Sequence, residues 1–277
     1  MNRGKQIGFM QGRLCDQVDG KIQAFPWRDW EYEFSVAERV NISTMEWTLD
    51  QEKLHENPLM TTEGQRKIEA LKSIHHVDIP SLTGDCFMQA PFWKTSPDLV
   101  PELQKDFLAV CDACSGVGIE MIVVPLVDEG CLENNQQEDR LANFLLSHEK
   151  YFACKSIKIL FESDFEPLNL KRFINRFPSG RFGINYDIGN SAALGFDPRD
   201  EFAAYGARVL NVHVKDRIRG GTTVPLGSGN AVFEVAFSEL NKADYSGNYI
   251  LQTARAGDGD HAAAVAKYRD MVQGWIS

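Results

Sequence analysis

The chain nowhere approaches the run of about 18 uncharged apolar residues that a membrane-spanning helix needs, so a helical membrane protein is excluded. Basic charge is also in short supply. The 29 Lys and Arg stand against 39 Asp and Glu, and a formal net charge of −10 opposes any broad polyanion-binding surface. Nucleic acid is therefore not an expected partner, whereas a phosphorylated small molecule, which needs only a local pair of cations, stays open. No GxGxxG follows the first apolar run and no GxxxxGK[ST] segment occurs, which argues against the common dinucleotide and nucleotide loops. No Ser/Gly-rich linker or short repeat divides the chain. The six cysteines (Cys15, Cys86, Cys111, Cys114, Cys131 and Cys154) are scattered through a chain long enough to need no disulfides. The start MNRGKQIGFM is too short and too polar for a secretory leader, so the expectation is a cytoplasmic protein with reduced thiols.

What is present is a regular alternation. Eight short apolar runs begin at Ile7, Ser43, Val77, Ile119, Ile157, Phe182, Arg208 and Asn248, and each is followed by a segment of helical period. Several are apolar at consecutive positions, as strands covered on both faces should be. This order predicts an α/β protein, a single (β/α)8 TIM barrel over residues 1–277 with eight strands, eight helices and an active site at the carboxyl ends of the strands. The segment from Asp98 reads as a helix with Asp98 at its N-cap and an end at Gly116 to Gly118. Cys111 and Cys114 form a CxxC inside that helix, without a second pair, and read as helix packing.

In such a barrel, polar residues at strand ends carry the information. They are Gln11 and Arg13, Glu46 and Asp50, Asp85, Asp128, Glu162 and Asp164, Asp187 and Asn190, His213 with Lys215 and Asp216, and Gln252 with Arg255. Glu162, Asp187, His213 and Gln252 each sit inside or at the tip of a β-like run, where an unpaired polar side chain is costly. A divalent cation would satisfy them, since two carboxylates, an imidazole and an amide oxygen suit Mn²⁺, Co²⁺, Mg²⁺ or Zn²⁺. Salt bridges and hydrogen bonds across the barrel mouth would satisfy them equally.

The segments FESDF at Glu162, NYDIGNSAALGFDP at Asp187, VLNVHVKDR at His213 and the stretch from VPLGSG to NYILQ, ending at Gln252, resemble the xylose-isomerase-like barrels, which include sugar-phosphate isomerases and epimerases. MEWTLD, IPSL, DIGN, HVKD and VPLGSG are similar to pieces of the L-ribulose-5-phosphate and L-xylulose-5-phosphate 3-epimerases, and together they cover nearly the whole chain. The resemblance implies a divalent metal held by Glu162, Asp187 and His213, with Gln252 as the fourth ligand. It implies Glu162 as the general base, a sugar or sugar-phosphate substrate, an enediolate stabilised by the metal, and a homo-oligomer. Position 252 departs from the resemblance, which implies a glutamate there as the second of two bases. An amide can coordinate but cannot accept a proton. Glu46, Asp128 or Asp85 could supply the second base, the reaction could need one base only, or the protein could bind a sugar without turning it over.

Glu46, Asn190, Lys215, Arg13 and Arg255 are expected at the substrate, the two arginines as bidentate phosphate contacts. Lys215 reads equally as a surface salt bridge, and the Gly227-Ser228-Gly229 run as a bare turn rather than an anion loop. His55, His75, His76, His148 and His261 read as surface residues. Phe92 with Trp93, and Phe25 to Trp27, read either as a lid over the sugar or as plugs of the barrel mouth. Besides the isomerase or epimerase, three functions compete: a dehydratase resembling inosose dehydratase, a repair nuclease resembling endonuclease IV, and a non-catalytic sugar-binding barrel. The nuclease is disfavoured by the acidic charge and by a single histidine in place.

Overall fold

The structure, a computed structural model, describes residues 6–276. Its strands are β1 (Ile7–Met10), β2 (Thr44–Thr48), β3 (Asp78–Thr83), β4 (Met121–Leu126), β5 (Lys158–Ser163), β6 (Phe182–Asp187), β7 (Val209–Val214), the short β8 (Asp216–Arg217) and β9 (Thr223–Val224), and β10 (Tyr249–Leu251). All but β8 and β9 form a closed parallel barrel in the order β1-β10-β7-β6-β5-β4-β3-β2. Closure is made by β1 against β10, with Ile7 beside Tyr249 and Phe9 beside Leu251. The eight barrel strands are the eight apolar runs of the sequence. Their side chains are buried almost throughout, as for strands with a filled barrel on one side and helices on the other. The fold is a (β/α)8 TIM barrel.

The helical layer is less regular than one helix per strand. The described residues hold eleven α-helices, because several connections carry an extra short one. Three bear on the site: α3 (Asp85–Gln89) after β3, α8 (Ile188–Leu194) after β6, and α11 (His261–Ile276) after β10. The helix expected from Asp98 is α4 (Val100–Gly116), with Leu99 rather than Asp98 at its N-cap. Pro101, which has no N–H to donate, sits in the first turn of the helix. Cys111 and Cys114 are fully buried on α4, as packing residues should be. No described helix is long and apolar enough to cross a membrane.

Candidate active site and metal centre

The strand register decides which polar residues meet. Asp187 on β6 pairs directly with His213 on β7, and two residues earlier Asn185 pairs with Asn211, so both pairs face the barrel interior in successive layers. Glu46 on β2 pairs with Ser81 on β3. In the deeper layer the Glu46 carboxylate accepts from Ser81 Oγ at 2.7 Å and Asn211 Nδ2 at 2.9 Å, while its other oxygen meets His213 Nε2 at 2.7 Å. Glu46 has no exposed surface. The expectation that it contacts substrate therefore gives way to a role beneath the site, where it fixes the imidazole so that Nδ1 faces the mouth.

Around Nδ1 lie Glu162 Oε2 at 3.1 Å and Asp187 Oδ2 at 3.9 Å. One ligand atom from each of Glu162, Asp187 and His213 can be chosen so that all lie within 4.8 Å of one another, and all three residues are buried. The carboxylates are held from outside. Asn190 gives its backbone N–H to Asp187 Oδ1 at 2.8 Å, where Asp187 caps α8, and its Nδ2 to Glu162 Oε1 at 2.7 Å. Its own Oδ1 accepts from Arg217 at 2.8 Å. Asn190, expected at the substrate, is thus fully used in orienting Asp187 and Glu162. Lys215 points into the mouth, as the alternation after His213 predicts, and meets Asp187 Oδ2 at 2.6 Å and Gln252 Oε1 at 2.8 Å. It is not a surface salt bridge but the link that joins Gln252 to Asp187.

Electrostatics reflect three acids and two bases buried together. Burial alone would lower the His213 imidazole, but the Glu46 and Glu162 carboxylates outweigh it and hold it up at about 10. Burial pushes the Glu162 carboxyl up, and His213, Lys215 and Asn185 together bring it below its ordinary value. Asp187 stays raised, by burial and by the neighbouring Glu162, against the pull of Lys215 and His213. The donor set fits a divalent cation. One oxygen of each carboxylate and an imidazole nitrogen converge in a buried cluster, and the second imidazole nitrogen rests on a carboxylate as in metal-ligating histidines.

Other expectations change. Arg255 directs its guanidinium to the carbonyls of Gly12, Cys15 and Ile22, so it ties down the loop after β1 instead of reaching a phosphate. Arg13 is buried and donates to Ile22 O and to Gln23 Oε1, which also accepts from Gln252 Nε2 at 3.3 Å. His261 is buried beside Asp16 rather than at the surface. The amides of Gly227 and Gly229 both go to Asp216, so that run is a turn. Phe25, Phe92 and Trp93 are buried plugs, with the Trp93 indole bonded to Gly130 O. Reading strand ends overlooked Asn185, Asn211 and Gln23. The first two had a signal, an Asn two residues before each ligand inside an apolar run. Beyond Gln252 a cleft of about 470 Å³ opens, lined among others by Thr253, Arg255, Gly257 and His261.

The fold agrees with the sequence comparison: residues 34–273 match the xylose isomerase-like TIM barrel family, and the chain belongs to it. L-ribulose-5-phosphate 3-epimerase UlaE of Escherichia coli O1:K1 / APEC is 35% identical over 102 residues, 36% of this chain and 36% of that protein. A putative L-ribulose-5-phosphate 3-epimerase UlaE of Shigella dysenteriae serotype 1 (strain Sd197) is 38% identical over 93 residues, 33% of each chain. The matched segments span about a third of the length of these relatives. Among solved structures, the D-allulose 3-epimerase from Methylomonas sp. superposes with a TM-score of 0.75 at 14% identity, covering 99% of this chain and 98% of that one. The D-psicose 3-epimerase from Clostridium cellulolyticum H10, solved with D-tagatose, gives 0.76 at 10% identity, covering 98% and 99%. These structures share the fold.

Proposed function

We propose that the chain is a metal-dependent isomerase or epimerase of a sugar or sugar phosphate. The observation that carries this reading is the meeting of Glu162, Asp187 and His213 at the carboxyl ends of β5, β6 and β7, with His213 set by Glu46 from below. These three would hold a divalent ion such as Mn²⁺, Co²⁺, Mg²⁺ or Zn²⁺, while Gln252, the fourth ligand the resemblance implies, has its Oε1 on Lys215 at 2.8 Å. When bound, the ion supplies Lewis-acid stabilisation of the negative charge that develops on the sugar oxygens. Glu162 removes the proton next to the carbonyl. Its Oε1 accepts from Asn190 at 2.7 Å and its Oε2 from Asn185 at 2.8 Å, so the carboxylate is oriented before the sugar arrives. Names among the relatives suggest pentulose phosphates and ketohexoses as first substrates.

Proton NMR in D₂O tests the reading, with L-ribulose 5-phosphate, D-allulose, D-tagatose and inososes incubated with protein and Mg²⁺ or Co²⁺. Deuterium should enter next to the carbonyl, depend on the metal, and vanish in Glu162→Gln with a rate loss on the order of 100-fold or more. Gln252, an amide, favours a second reading, a dehydratase that needs one base; water loss from an inosose without deuterium wash-in to any ketose would select it.

A further inference from the structure

Inverting a carbon next to a carbonyl requires the proton to leave from one face and return to the other, so an epimerase site needs two proton carriers. Glu162 is one, and Gln252 at the end of β10 can be none. Glu46 is sealed beneath His213. Asp128 is exposed in the turn after β4.

Asp85 remains. It is the first residue of α3, just beyond the carboxyl end of β3, and it is only 9% exposed. Its carboxyl faces the Gln23 amide and the Arg13 guanidinium and is near enough to Glu162 for the two to influence each other. Gln23 is shared, because its Oε1 accepts from Gln252, so Asp85 and Gln252 flank one side chain. The ligand residues occupy the β5 to β7 arc of the mouth, and Asp85 with Arg13 belongs to the facing arc. A sugar lying between the arcs has Glu162 on one side and Asp85 on the other.

We propose that Asp85 is the second proton carrier, exchanging a proton with the substrate carbon on the face away from Glu162. The inference rests on the isomerase or epimerase reading. Glu162 takes the proton as the C–H electron pair becomes the C=C bond of the enediolate. The Asp85 carboxylic acid then gives its proton to the same carbon from the other side, that electron pair forms the new C–H bond, and the carbonyl re-forms. Asp85 is left as carboxylate and Glu162 as acid, and both reset by exchange with water. Burial and the neighbouring acids raise Asp85 to about 7, against Gln23 and Arg13, so near neutrality both of its protonation states are populated, as a group that gives and takes a proton requires.

The test follows L-ribulose 5-phosphate and D-allulose with metal-loaded protein in D₂O, reading deuterium wash-in and epimer formation separately. Wild type should do both. Asp85→Asn, nearly isosteric, should keep wash-in to the starting sugar but form epimer on the order of 100-fold more slowly, and Asp85→Glu should recover part of that loss. A circular dichroism spectrum and a Co²⁺ titration matching wild type would show that the variant is folded and loaded. Equal loss of wash-in and epimer, or an unchanged epimer rate, overturns the assignment. Wash-in without any epimer in wild type overturns it too and leaves an isomerase. No wash-in by wild type with either sugar, nor with the other sugars above, removes the isomerase or epimerase reading itself, and Asp85 with it.

Discussion

At position 213 the two imidazole nitrogens do different work: Nε2 rests on Glu46 and Nδ1 turns to Glu162 and Asp187. The candidate ligand residues were legible in the sequence because a polar side chain inside an apolar strand is costly unless something satisfies it. Glu46 was visible for the same reason, but its task was not, since that depends on β2 standing across the barrel from β7. Arg255 shows the converse limit. Its position at a strand end was read correctly, yet a long side chain reaches atoms far from its Cα, and here it reaches the carbonyls of the β1 loop. Replacing Glu46 with Gln should keep the fold and loosen the imidazole, weakening Co²⁺ or Mn²⁺ binding by about 10- to 100-fold in isothermal titration calorimetry.

Between elements, the DIGN and HVKD segments turn out to be one joint. Gly189 on α8 lies against Lys215, where a Cβ would meet the backbone carbon and side chain at 2.8–2.9 Å. The close approach brings Asn190 onto Glu162 and lets Asp187 cap α8 while facing His213. Gly189→Ala should therefore push α8 off the end of β7, costing about 1–3 kcal/mol in urea unfolding and weakening metal binding in the same titration. Unchanged metal affinity in a destabilised variant would show that the joint serves packing alone. Neither motif by itself shows this joint in the sequence, because the contact spans two βα units. The GSG run was a turn because Asp216, eleven residues upstream of Gly227, takes its amides.

Over the whole molecule, burial of acids sets the pH response. Glu33, buried under the β1 loop and bonded to Gly12 N and Leu14 N, is raised by burial to about 7, and Asp85 likewise. Both bind their protons more tightly folded than unfolded, so the stability they contribute is full below the ordinary carboxylate range and is lost as pH rises through about 7. Urea midpoints should fall between about pH 5 and about pH 8, and Asp85→Asn should flatten that fall by a few kcal/mol, to order of magnitude. An unaltered slope would mean that Asp85 is not buried as an acid. The sequence by itself determined the eight strands, their closure into a barrel and the three residues most costly to bury, because strand period, length and apolar runs are local properties. Tertiary structure alone decided what each polar group touches: that Glu46 supports His213, that Lys215 joins Asp187 to Gln252, and that Asn190 holds both Asp187 and Glu162. Those contacts join residues distant in the chain, and the register and tilt of a closed sheet set them.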